Sequence, residues 1–69
     1  MKGKTYSNNI KEWNDNPKEL WACLLKEGEY LYQDGPLFDT VADAEEHAQG
    51  KPNCCVHLVY KNGMVLNLN

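Results

Sequence analysis

The chain has no arginine. Its seven basic residues are all lysines, set against ten Asp and Glu, for a net charge of −3 over 69 residues. A guanidinium fork for phosphate, guanine or carboxylate is therefore missing. The charge balance is also opposite to that of a nucleic-acid footprint. Ser7 is the only serine, so a Ser–His–Asp arrangement would have to draw its nucleophile from a polar N-terminal stretch. No apolar run approaches the roughly 20 residues of a membrane span. Met1-Lys2-Gly3-Lys4 has no apolar region behind it and does not read as a signal peptide. The five glycines are dispersed, at 3, 28, 35, 50 and 63, and make no phosphate-cradling loop. Heptads, repeats and low-complexity tracts are missing too. The expectation is a cytoplasmic protein with no membrane segment, no direct nucleic-acid binding and no enzymatic activity.

Cysteine is scarce and odd in number: Cys23, Cys54 and Cys55. That pattern fits reduced thiols in a cytosol. On a strand, Cys54 and Cys55 point to opposite faces and do not readily share a metal. A zinc set of Cys23, Cys55 and His57, with His47 as fourth ligand, lacks the Cys-x-x-Cys spacing of structural sites. Buried thiols acting as small apolar side chains are the simpler reading. Cys55 and His57 share a strand face, the minimum for a thiolate–imidazole pair, but two such residues ordinarily just pack side by side. Glu45 and Glu46, adjacent on a helix, diverge by about 100 degrees and do not converge on one substrate. No catalytic residue, metal or cofactor is assigned.

What is present makes one small α+β domain. Apolar residues make up 42% of the chain and charged ones 25%. A core of this size supplies only about 3–5 kcal/mol, so a staple or a partner subunit is worth seeking. Residues 1–18 form a polar arm with Asn8, Asn9, Asn14 and Asn16. Within it, Ile10 and Trp13 share one side of a short helical turn, with Asn9 as cap and Glu12 closing the box. Residues 19–69 form the domain proper. Two readings compete over residues 17–33. Asn16-Pro17-Lys18-Glu19 opens a helix well. The alternative is a hairpin turning at Glu27-Gly28, pairing Lys26 with Glu29, Leu24 with Leu31 and Cys23 with Tyr32. Tyr30-Leu31-Tyr32 is strand-like and needs a neighbour, which favours the hairpin over local propensity.

Asp34-Gly35-Pro36 breaks the pattern. Asp39 or Thr40 then caps a helix from Val41 to about Gln49, with Asp43 closing a box. Gly50 and Pro52 end it. Its apolar side is Val41, Ala44 and Ala48; its other side carries Asp43, Glu45, Glu46 and Gln49. Asn62-Gly63 is a strong hairpin signal, pairing Lys61 with Met64, Tyr60 with Val65, Val59 with Leu66 and Leu58 with Asn67. Strict alternation puts Val56, Leu58, Tyr60 and Val65 on one face, and Cys55, His57, Val59, Met64, Leu66 and Leu68 on the other. Both faces are largely apolar, whereas a one-sided sheet alternates apolar with polar. The fold expected is an antiparallel sheet of about four strands with one main helix, β-β-α-β-β, plus a short N-terminal turn. One helix covers one face. The other is left for the arm, for a second copy in a homodimer, or for a different protein.

The layout strand–strand–helix–strand–strand, with Leu37-Phe38-Asp39-Thr40-Val41-Ala42-Asp43-Ala44-Glu45-Glu46 at its centre, resembles very small phage proteins that inhibit bacterial machinery, such as inhibitors of host RNA polymerase and anti-CRISPR proteins. The likeness spans about residues 20–68. It implies a non-catalytic inhibitor that binds a bacterial host enzyme or defence complex in the host cytoplasm. The candidate partner-binding residues are His57, Val59, Met64 and Leu66 on the outward hairpin face, and Asp43, Glu45 and Glu46 on the acidic helix side. Two alternatives stand beside it: a homodimer that sequesters a small ligand, and a weak nucleic-acid mimic built on the acidic cluster Asp34, Asp39, Asp43, Glu45 and Glu46.

Overall fold

The computed structural model describes residues 3–66. Along the chain come β1 (Thr5–Tyr6), one 3₁₀ turn (Ile10–Glu12), β2 (Glu19–Glu27), β3 (Tyr30–Gln33), β4 (Leu37–Phe38), α1 (Val41–Ala48), β5 (Cys54–Lys61) and β6 (Met64–Val65). The strands form one antiparallel sheet in the order β1-β4-β2-β5-β6, and β3 also pairs with β2. Among the described residues the class is α+β with one α-helix, as expected, but the sheet has six strands rather than about four. The extra two, β1 and β4, are two residues long, too short for alternation to announce them.

β2 is the central strand. Leu20, Ala22, Cys23 and Leu24 are buried on it. The run Leu20–Leu25 lacks polar alternation because both faces of the strand are covered. That tertiary demand overrides the helix signal at Asn16-Pro17, where Asn16 takes a positive φ of 50° instead of capping a helix. The hairpin to β3 turns one residue later than expected, at Gly28-Glu29, closed by Glu27 opposite Tyr30. Of the two central residues only Gly28 has positive φ (63°), the type II′ pattern that Gly in first position favours. Leu24 therefore faces Gln33 and Lys26 faces Leu31, not Leu31 and Glu29. The register moves by two residues, so each side chain keeps its face.

β3 and β4 share one edge of β2. Asp34 donates its N–H to the Cys23 carbonyl at 2.7 Å, prolonging the β3 ladder. The chain then jogs through Gly35 and donor-less Pro36 before Phe38 meets Trp21. Thr40 caps α1, its Oγ1 accepting from the Asp43 N–H at 3.2 Å. Ala44 is fully buried and lets the helix approach closely: Cys23 Sγ donates to the Ala44 carbonyl at 3.0 Å. Val41, expected on the apolar side, is exposed.

The last hairpin has the expected register, Tyr60 opposite Val65 and Lys61 opposite Met64. Leu66 N–H donates to the Val59 carbonyl at 2.9 Å. The Leu58–Asn67 pair and Leu68 lie outside the described residues. Strict alternation along β5 does not hold. Leu20 faces Tyr60 but Trp21 faces Leu58, so Val59 is an extra residue in a β-bulge. Val59 and Tyr60 consequently both pack on the side away from the helix, and Tyr60 leaves the face of Val56.

The core is thus split by the sheet. On the helix side Cys23, Phe38 and Ala44 are buried, flanked by Trp21, Ala48, Cys54 and Val56. On the other side Trp13, Leu20, Ala22, Leu24 and Leu37 are buried, flanked by Tyr6, Val59 and Tyr60. The arm supplies Trp13 and is tied down along its length. Gly3 N–H donates to Asp43 Oδ2 at 2.6 Å, Lys4 N–H to Asp39 Oδ1 at 3.0 Å, and Trp13 Nε1 to the Ser7 carbonyl at 2.7 Å. Asn9 caps the 3₁₀ turn, accepting from Lys11 N–H at 3.1 Å. Glu12 does not close a box; it accepts instead from the Ser7 hydroxyl. Ile10 is exposed while Trp13 is buried: the 3₁₀ turn ends at Glu12, and Trp13 leaves it at φ −87° and ψ 66°.

Candidate interaction surface

The second face of the C-terminal ribbon is covered only in part. Trp13 blankets Leu20, Ala22, Leu24 and Leu37, but Cys55 and His57, opposite Leu24 and Ala22 on that face, are exposed. Beside Trp13 an apolar groove of about 200 Å³ runs between the arm and the ribbon, walled by Ile10, Trp13, Leu37, Val59, Val65 and Leu66. At the ribbon tip Met64 is 66% and Val65 61% exposed.

The expected partner-binding residues separate into two groups. Val59 and Leu66 lie together in the groove, and Val59 is half-buried against the Trp13 cluster. Met64 stands at the tip, and His57 lies further back on β5, opposite Ala22 of β2, its Nδ1 3.1 Å from the Leu58 carbonyl. Asp43, Glu45 and Glu46 sit on α1, across the sheet from the groove. There Glu45 and Glu46 flank an open depression with Ala42, Ala48, Cys54 and Val56. Hairpin face and acidic side are therefore not one surface. Asp43 also has an internal task, since its carboxylate holds Gly3 and its N–H takes the Thr40 cap.

The sequence reading missed Val65 and Leu37 as groove residues. Val65 faces Tyr60, and only the bulge brings Tyr60 to the Trp13 side; no spacing rule shows a bulge in advance.

One polar cluster was also not foreseen. Lys51 donates to Asp34 Oδ2, and this hydrogen bond holds the Asp34 carboxyl below its ordinary range while raising the Lys51 ammonium. His47 Nε2 lies 3.2 Å from the same oxygen. Among the described residues this buried nitrogen has no hydrogen-bond partner of good geometry. The ring rests against Gly35 and 5.3 Å from Phe38, centroid to centroid. The cluster ties the end of α1 to the β3–β4 jog. Among the described residues no group of three or more His, Cys, Asp or Glu side chains is placed to hold a metal ion, and the imagined Cys23, Cys55, His57 and His47 set is not assembled. Cys23 is buried on the helix side of β2, and Cys55 and His57 are exposed on the opposite face. No helix of the described residues is long and apolar enough to cross a membrane. No family model, curated protein or solved structure matches the chain.

Proposed function

We propose that this chain is a non-catalytic protein-binding module, of the kind small phage inhibitors use against a bacterial host enzyme or defence complex. The observation that carries the reading is the bare ribbon tip, Met64 and Val65, set beside the Trp13 groove. A partner would lay an apolar side chain into the groove and cover the tip, a contact driven by burial rather than by charge. The acidic side of α1 faces away and would act on approach, by steering, more than on affinity. The partner class itself rests on the resemblance of layout.

The test is capture of a bacterial partner by the intact protein, followed by surface variants with unchanged melting. Met64→Asp and Val65→Asp are expected to abolish capture, because both side chains are exposed and their loss leaves the core intact. Val59→Asp is expected to unfold the chain, since it drives a charge into the Trp13 cluster. Glu45→Lys with Glu46→Lys is expected to slow association and alter its salt dependence while leaving the complex stable. Capture that survives both tip changes, or the absence of any stoichiometric partner, defeats the reading.

A further inference from the structure

β3 carries three consecutive large side chains in the open: Tyr30 at 79%, Leu31 at 53% and Tyr32 at 46% exposure. Among the described residues the strand pairs with β2 alone, on its inner side. Its outer side can be read from the ladder. Asp34 N–H donates inward to Cys23, and Lys26 N–H donates to Asn53, away from β3. By the alternation of antiparallel pairs, Tyr30 and Tyr32 bond to β2 while Leu31 and Gln33 turn their N–H and C=O groups outward. We propose that a second copy of this chain docks on that edge, β3 against β3 across a two-fold axis with Leu31 facing its own counterpart.

Three features select a second copy and this register. First, the strand is palindromic: Tyr30-Leu31-Tyr32 reversed is the same sequence. With Leu31 on the axis, each Tyr30 stands across from a Tyr32 on one sheet face, an aromatic cross-strand pair formed twice. Second, the charges avoid one another. Glu29 falls opposite Gln33, and Gly28 opposite Asp34. A shift by two residues, with Tyr32 on the axis, sets Tyr30 against Asp34 and Leu31 against Gln33 instead. Third, the outward N–H and C=O groups of Leu31 match those of its counterpart in that register, as an antiparallel ladder requires. The edge also lacks the usual guards against strand addition, having no Lys, Pro or bulge within it. The contact covers only a few side chains, well short of the roughly 800 Å² per partner of a standard interface. The dimer is therefore weak and concentration-dependent. This seam is separate from the ribbon tip, so Met64→Asp and Val65→Asp leave it intact.

Sedimentation of the full chain over a series reaching the millimolar range reads the equilibrium. Leu31→Cys in a Cys55→Ser background reads the register, because a hydrogen-bonded pair sits about 5.5 Å apart, within disulfide reach. The expected result is rapid disulfide-linked dimer from Leu31→Cys and little from Val65→Cys in the same background. Leu31→Pro, which deletes an outward donor that the β2–β3 ladder does not use, is expected to weaken association at least about tenfold with normal melting. A wild-type chain that stays monomeric throughout, or cross-linking no faster at position 31 than at position 65, overturns the proposal.

Discussion

The indole of Trp13 meets the Tyr60 ring edge-on, centroids 4.8 Å apart and planes at 75°. One ring comes from the N-terminal arm and the other from the bulged part of β5, so this contact fastens the arm to β5. The pair adds about 0.5–1.5 kcal/mol beyond its buried area.

Trp13→Ala removes the centre of the cluster formed with Leu20, Ala22, Leu24 and Leu37. A buried Trp→Ala change costs about 3–5 kcal/mol, similar to the whole stability that a core this small supplies. The variant is expected to be largely unfolded at room temperature. Trp13→Phe, which keeps the ring but loses the Nε1 bond to the Ser7 carbonyl, is expected to fold with a lower midpoint. Urea titration followed by far-UV circular dichroism checks both; wild-type stability in Trp13→Ala would show that the arm is not part of the core.

The three cysteines should differ sharply in reactivity. Cys55 is exposed, Cys54 half-buried and Cys23 buried, and burial pushes the Cys23 thiol up to about 11 from its ordinary value of 9.0. Iodoacetamide at pH 8 is expected to label Cys55 first, Cys54 slowly and Cys23 only on unfolding, as read by peptide mass spectrometry. The same shift makes the fold alkali-sensitive. The unfolded thiol ionises near 9 and the folded one near 11, so stability falls as pH rises through that window. Cys23→Ala should flatten this alkaline limb, although it leaves a small cavity under Ala44.

The Asp34–Lys51 bond acts at the acid end. The folded Asp34 carboxyl titrates below its unfolded value, so its contribution is present above the ordinary carboxylate range and is lost as pH falls through the folded pKa. Asp34→Asn is expected to lower the midpoint at neutral pH. The gap to wild type should close as the solution is acidified, which thermal melts across an acid series would follow. A gap that persists at low pH would assign Asp34 a role other than charge.

Elements whose own residues carry a local signal were legible from sequence. The cap at Thr40, the stop at Gly50 and the Asn62-Gly63 turn all depend on side-chain or glycine chemistry within a few residues. Central β2 was legible only through a global demand, because its helix-forming residues had to serve a strand covered on both faces. What stayed hidden was non-local. β1 and β4 exist because the Asp34-Gly35-Pro36 jog returns the chain to the edge of β2. The groove exists because a bulge opposite Leu20 turns Tyr60 and Val59 the same way. Tyr30-Leu31-Tyr32 is strand-like and needs a neighbour, but nothing local shows that, among the described residues, only β2 pairs with it.

Gly35 is the position where backbone freedom and close packing coincide. Its φ is +85°, and a Cβ there would lie 2.8 Å from His47 Nε2 and 3.0 Å from Cε1. Gly35→Ala therefore combines left-handed strain with a clash against a ring held between Phe38 and Asp34. Strain of this type costs of order 1–3 kcal/mol, a large share of the stability of so short a chain. His47→Ala opens the space but not the backbone angle. In a double-mutant cycle the pair Gly35→Ala/His47→Ala is then expected to be less destabilised than the two single changes added together, by the part of the cost that is steric. Strict additivity would mean that the ring moves aside freely, and that His47 does not pin the jog between β3 and β4 to the end of α1.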